Sequence, residues 1–404
     1  MQVSRRSFLG SLSAAAVLPR SRSAVPQPAL VDPLGVRPDF AFTQEGIYLN
    51  SPYITPSPRQ VTRAAREFLD AKGRKPVLLG RMMEESSRVR EKFARLIGAS
   101  TPEIGILFAT SEGENIVARA LDLKAGDNVV IDDLHYETTF VLYRRLVEKR
   151  GIDLRIVKSQ DGIATPDRFA RLIDRRTRLV SVAWVSHQNG YCHDLAALAQ
   201  LAHEQGAYLY ADAIQGMGML ALDVKKVGID FLTSGTYKWL LGGYGVAPFF
   251  VREELLDRIT PDRLGSLHIA KDLGNHEYEL YRDGRKFGYA TQGFGSIYQL
   301  SAALDYLLKV GVENIERHTV ALAHRLRTGL LEQGFSVWTP PENRSAIVTF
   351  AHGGDVDTVR SRLDAARISC SFKNDDRNIR VGAALFNNAS DIERFLEVTG
   401  DLAS

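Results

Sequence analysis

Short apolar runs alternate with amphipathic stretches of helical spacing from residue 104 to residue 251, and this alternation limits the fold more than any other feature of the chain. Strands are expected at 104–109, 128–131, 154–157, 179–185, 208–211, 231–233 and 246–251. Helices are expected around 115–121, 138–150, 166–173 and 195–205. Several helix ends carry their own signals. Thr165 precedes Pro166 at a first helical position, Asp194 stands at the N-cap of the next helix, and Gly151 and Gly206 close two of them. Strand and helix in alternation predict an α/β architecture: a mostly parallel seven-stranded sheet with helices on both faces. With 404 residues, 45% of them hydrophobic and 25% charged, the chain has length for that sheet and a second, smaller unit.

Beyond residue 290 the pattern changes. Helices are expected over 296–310 and 313–333, then strands near 346–350, 368–372 and 379–381. This reads as a smaller α+β domain over 291–404, joined by the segment 25–58, with the large domain over 59–290. Residues 1–24 read differently. Ser4, Arg5, Arg6, Ser7, Phe8 and Leu9 form a twin-arginine pattern ahead of an alanine-rich run ending at Leu18, too short for a stable membrane anchor. Small residues between Ser21 and Ala24 offer a cleavage site. The expectation is export by the twin-arginine route to the periplasm or beyond, with no membrane contact in the mature form. This stretch holds Arg5, Arg6, Arg20 and Arg22 and no acid; losing these four charges takes the net charge from +3 to −1, so no nucleic-acid partner is expected. Two cysteines, Cys192 and Cys370, are too few for a disulfide framework or a cysteine-rich metal site, and no metal is expected.

Ligands of a parallel sheet sit at the carboxyl ends of its strands. One expected strand runs into Asp212, another ends near Ser234, and Lys238 follows in a Gly-rich, aromatic turn. A carboxylate and a lysine at neighbouring strand ends suit pyridoxal 5'-phosphate. The lysine forms a Schiff base with the cofactor aldehyde, and the aspartate keeps the pyridine nitrogen protonated so that the ring accepts electrons. The strand 104–109 runs into Thr110, Ser111, Glu112 and Gly113 and then a helix. Free N–H groups at that helix start, with the Ser111 hydroxyl and a glycine permitting close approach, offer a cradle for a phosphate dianion.

The segments Ala211-Asp212-Ala213-Ile214-Gln215 and Ser234-Gly235-Thr236-Tyr237-Lys238 resemble the class-V aminotransferase branch of the fold-type I pyridoxal-phosphate enzymes, which includes cysteine desulfurases, isopenicillin N epimerase and kynureninase. The resemblance runs from about Tyr48 to the C-terminus. It implies that Gly113, where the family usually has threonine, meets the phosphate through its backbone, with Ser111 supplying the side-chain oxygen. Tyr136 is implied to stack on the pyridine ring. Gln215 is implied to bond the cofactor's phenolic oxygen, with Ser186, next to His187, sending another ligand there. Thr236 and Tyr237 match positions that reach the phosphate. Thr291, in Phe287-Gly288-Tyr289-Ala290-Thr291, matches a threonine that reaches the phosphate of the partner subunit, which implies a homodimer with shared active sites. Arg380 matches the arginine that clamps the substrate carboxylate, a task suited to the guanidinium fork.

Three readings of function follow. The first is a pyridoxal-phosphate enzyme acting on an α-amino acid or amino-acid derivative by transamination, epimerisation or elimination. The second is a cysteine desulfurase or C–S lyase. A desulfurase in the narrow sense needs a mobile thiol ahead of the carboxylate arginine. Cys370 precedes Arg380 by ten residues but falls in an expected strand, Cys192 is remote, and Tyr237 stands where typical desulfurases have histidine. The third is a non-catalytic binding protein on the same fold, against which the set Asp212, Gln215, Lys238 and Arg380 speaks.

Overall fold

A computed structural model describes residues 32–400; the expected leader lies outside them. Seven strands, β1 (Ile104–Leu107), β2 (Asn128–Asp132), β3 (Asp153–Val157), β4 (Thr177–Ala183), β5 (Tyr208–Asp212), β6 (Phe231–Thr233) and β7 (Ala247–Val251), form one sheet in the order β1-β7-β6-β5-β4-β2-β3. Its pairings are parallel except those of β7, which runs antiparallel to β1 and to β6. Val180, Val182, Leu209, Ala211 and Leu232 point into one core, and Leu179, Tyr210, Phe231 and Phe249 into the other. Burial on both faces is why these strands read as unbroken apolar runs. Ala183 pairs with Asp212, and Asp212 with Thr233, so β4, β5 and β6 end level with one another. Whatever follows those three residues meets along one edge.

The helices α1 (Thr110–Ala120) and α2 (Glu137–Arg150) follow β1 and β2. The first begins five residues before its expected start, because Gly113 lies inside it rather than in a loop. A Cβ at Gly113 would stand 2.0 Å from Thr233 Oγ1, so the glycine is what lets the helix close onto β6. The poor helix propensity of glycine, about 1 kcal/mol below alanine, is outweighed by that approach. The expected ends elsewhere are mixed. Asp194 accepts from the Ala197 N–H at 3.0 Å and Gly151 closes α2 at φ 68°, whereas the Thr165 side chain makes no capping bond. Two long helices, Arg59–Arg74 and Leu79–Ile97, were not foreseen; they pack on the helix Phe294–Val310.

The second sheet is antiparallel: β8 (Ser336–Val337), β9 (Ile347–Ala351), β10 (Ser371–Lys373) and β11 (Asn378–Gly382), in the order β8-β9-β11-β10. The single strand expected over 368–372 is interrupted at Cys370. Ile368–Ser369 pairs in parallel with Ile47–Tyr48, and only from Ser371 does the chain join β11. The segment that follows Tyr48 stitches this sheet to the first. Gly382 N–H donates to Leu49 O at 2.8 Å, Thr55 N–H to Tyr237 O at 3.1 Å, and the Ser57 hydroxyl to Leu241 O at 2.8 Å. These bonds tie the turn containing Lys238 to the strand containing Arg380. Among the described residues no helix is long and apolar enough to cross a membrane.

Candidate active site

A cavity of about 400 Å³ opens where β4, β5 and β6 end, and its wall includes Ser111, Tyr136, His187, Asp212, Gln215 and Lys238. Asp212 is 9% exposed, and its Oδ1 accepts from the Ile214 N–H at 3.0 Å, the bond that turns the chain out of β5. Lys238 is also 9% exposed, and among the described residues it has no ion-pair partner. Burial raises the Asp212 carboxyl above the usual carboxylate range, opposed by the Ile214 N–H and the lysine charge. Burial lowers the Lys238 amine, and the Arg380 charge lowers it further against the pull of Asp212. A buried acid and a buried base share one wall of the cavity without neutralising each other in a close pair.

The turn after β6 delivers Lys238 by internal hydrogen bonds. The Thr236 hydroxyl lies 2.5 Å from Gly243 O and 3.2 Å from Val246 O, and Gly242 N–H donates to Thr236 O at 2.8 Å. Thr236 is fully buried and stands outside the cavity wall, where its hydroxyl holds the turn closed. Tyr237 does line the cavity and stacks on Tyr244, centroids 4.9 Å apart. Ser186 is placed in a similar way. Its hydroxyl donates to Leu134 O at 3.1 Å and accepts from Gln188 N–H at 3.2 Å, and the serine is buried behind the wall. Its neighbour His187 stands in the wall, and the ring's Nδ1 is buried without a hydrogen-bond partner. The Cβ position of Gly113 faces Thr233, and the part of the helix start that lines the cavity is Thr110 and Ser111.

Tyr136 ends the turn before α2, is 46% exposed over the cavity and meets His187 edge-on, centroids 5.1 Å apart. Gln215 is held from both ends: its Nε2 donates to Pro52 O at 2.8 Å and its Oε1 accepts from Trp239 Nε1 at 2.9 Å. One N–H of that amide is left for the cavity. Thr291 is exposed and lies in an adjoining cavity of about 200 Å³, which shares Phe108, Gly245 and Val246 with the first.

Arg380 crosses from the second sheet. It is 3% exposed; its guanidinium donates to His187 O at 2.7 Å and to Ser371 Oγ at 3.1 Å, while Nε is buried without a partner. No carboxylate among the described residues pairs with it, and burial lowers its pKa to about 10. A buried cation lacking a counter-ion is costly unless a ligand supplies one. Neither thiol lines the cavity. Cys370 packs on the core of the second sheet and Cys192 on that of the first, and burial pushes both up to about 12.

Two contributors escaped the sequence reading. Glu114, on α1, is buried within reach of the Asp212 charge, accepts from Ser181 Oγ at 2.6 Å and Thr139 Oγ1 at 2.8 Å, and is raised by burial to about 7. A charged residue just ahead of an expected helix gave no sign of this. Lys373, on β10, lies close enough for its charge to act on Lys238 and His187. Its alternation with Ser371 on the strand before Arg380 was the available signal.

The fold and the carboxylate–lysine cavity define the fold-type I architecture of pyridoxal-phosphate enzymes. The family description Aminotransferase class-V matches residues 47–395, and the chain belongs to that family. It is 30% identical over 323 residues to a probable cysteine desulfurase of Methanothermobacter thermautotrophicus, covering 78% of this chain and 80% of that protein. A probable cysteine desulfurase of Pyrococcus abyssi is 28% identical over 92% of this chain and 97% of its own length. Among solved structures, the apo cysteine desulfurase of Thermococcus onnurineus superposes with a TM-score of 0.83 at 26% identity, over 93% of this chain and 99% of that one.

Proposed function

We propose that the chain is a pyridoxal-phosphate-dependent enzyme acting on an α-amino acid or amino-acid derivative, with the cofactor carried by Lys238. The observation that carries this is the pair Asp212 and Lys238, both buried, both in one cavity wall and not bonded to each other. The other residues fit the same group. His187 Nδ1 is an orphaned buried polar atom, the Gln215 amide has an N–H to give, and the start of α1 has no side-chain cap. Bound there, pyridoxal phosphate supplies a sink for the electron pair left on the substrate Cα. Asp212 would provide the negative charge that keeps the pyridine nitrogen protonated. Lys238, its amine lowered by burial, is a base suited to moving the Cα proton near neutral pH. Tyr136 covers the mouth, where it can lie against the ring face. A panel of amino acids assayed together for keto acid, pyruvate, sulfide and change of chirality tests this. Turnover of at least one is expected; turnover of none leaves a binding protein on the same fold.

Arg380 is expected to hold the substrate carboxylate through its fork. A charge-assisted pair of this kind contributes about 1.5–3 kcal/mol, so Arg380→Ala raises KM roughly ten- to a hundredfold at about 1.4 kcal/mol per decade. The spectrum of the bound cofactor stays normal. Arg380→Lys restores part of the loss, since a point charge lacks the fork. A variant that handles an amino acid as well as the wild type would place the carboxylate elsewhere.

A second reading, cysteine desulfurase or C–S lyase, is supported by the activities named for the relatives. The half-buried thiols, both outside the cavity wall, argue against a persulfide held on this protein. Cys192→Ser and Cys370→Ser are each expected to leave cofactor binding and any sulfide release from cysteine within about twofold, as for substitutions away from a reacting group. Loss of sulfide release in Cys370→Ser with the cofactor still bound would promote the desulfurase reading. The proposal extends to export by the twin-arginine route, which Arg5→Lys with Arg6→Lys should block. It also extends to a two-fold dimer, which sedimentation of the purified protein checks.

A further inference from the structure

Arg380 is not the only cation on its side of the site without a carboxylate partner among the described residues. On β10, Ser371 stands opposite Arg380 and Lys373 opposite Asn378. Alternate residues of a strand share a face, so Ser371, Lys373 and Arg380 project from the same side of the sheet while Phe372 and Ile379 fill the core behind. Lys373 is therefore the diagonal neighbour of Arg380, at about 7–8 Å by strand geometry. A lysine on a sheet ordinarily extends into water or pairs with an acid. Lys373 is half-buried and, among the described residues, has neither ion pair nor hydrogen bond. The acid whose charge bears on it is Glu137, itself turned to His187 Nε2 at 3.6 Å.

The first cation, Arg380, suits the α-carboxylate of an amino acid. The second has no task in that reading. We propose that Lys373 selects substrates with a second acidic group, so that the enzyme prefers an acidic α-amino acid whose α-carboxylate meets Arg380 and whose distal carboxylate meets Lys373. This rests on the reading of the cavity as a pyridoxal-phosphate site for amino acids. It does not depend on which bond is broken. The short turn after β10, closed by Arg377 N–H donating to Asn374 O at 3.2 Å, keeps Lys373 on a paired strand rather than on a long loop.

The test compares aspartate with asparagine, which differ in charge and little in shape, on holoenzyme whose bound cofactor is quantified in the same sample. Wild type is expected to favour aspartate in kcat/KM by roughly ten- to a hundredfold, the worth of one charge-assisted contact. Lys373→Met should erase most of that preference through KM on aspartate, while any change that comes through the Lys238 amine falls on kcat for aspartate and asparagine alike and leaves their KM ratio to report the contact; Lys373→Arg should keep part of the preference. Calorimetric binding of succinate against its half-amide succinamate asks the same question without turnover, with the same preference expected for the dicarboxylate. Equal handling of the paired ligands by wild type, or an unchanged KM ratio in Lys373→Met, overturns the assignment of Lys373 and leaves the cofactor site standing. A protein that takes up no pyridoxal phosphate overturns both.

Discussion

Lys238→Ala is expected to abolish turnover while leaving a folded protein. The side chain sits in a cavity wall and makes no ion pair with the described residues, so its removal breaks no structural contact of that kind. Two tasks are lost at once: covalent capture of the cofactor and proton transfer at Cα. Positioned acid–base catalysis alone contributes roughly 10²–10⁴-fold, so the loss is at least of that order. The cofactor should still enter, held by the start of α1 and by Tyr136, but borohydride should no longer fix it. Retention of a reducible covalent link in this variant would move the site to another lysine.

Asp212→Asn is expected to have the second largest effect. The amide keeps the size of the side chain and can still accept from the Ile214 N–H, so the end of β5 is preserved. What disappears is the charge. Breaking a buried ion pair by removing one partner costs about 3–5 kcal/mol, which corresponds to roughly 10²–10³-fold or more in rate at about 1.4 kcal/mol per decade. Cofactor content should stay close to wild type, so the fall appears in kcat rather than in loading. Equal kcat in the variant would mean that the carboxylate does not face the pyridine nitrogen.

The residues whose placement was legible in the sequence are those whose position follows from where a strand ends. Asp212 and Lys238 stand after apolar runs in a sheet whose parallel pairing levels the strand ends, so their meeting follows from the alternation alone. Arg380 was singled out through the family resemblance, not by where a strand ends. Hydroxyls were the least legible. Thr236 and Ser186 look like ligand residues because they lie in turns beside the site, yet turns create unpaired carbonyls and N–H groups, and each hydroxyl goes to those. Gly113 has a packing task that the sequence did not show. In a sequence it reads as a loop residue, but here a strand pressed against a helix leaves no room for a Cβ. The helices Arg59–Arg74 and Leu79–Ile97 carry so many charges that their buried stripe, Val61, Phe68, Val89 and Phe93, is hard to see. The exposed hairpin of Ile269–Gly274 and Glu277–Leu280 has no apolar face turned to a core, so periodicity had nothing to report.

The most direct measurement is reduction of the cofactor-loaded protein with borohydride, followed by digestion and mapping of the modified peptide. The account predicts a single pyridoxyl-lysine, at Lys238, and none in Lys238→Ala. A label on any other lysine, or a protein that takes up pyridoxal phosphate without forming a reducible link, would contradict it.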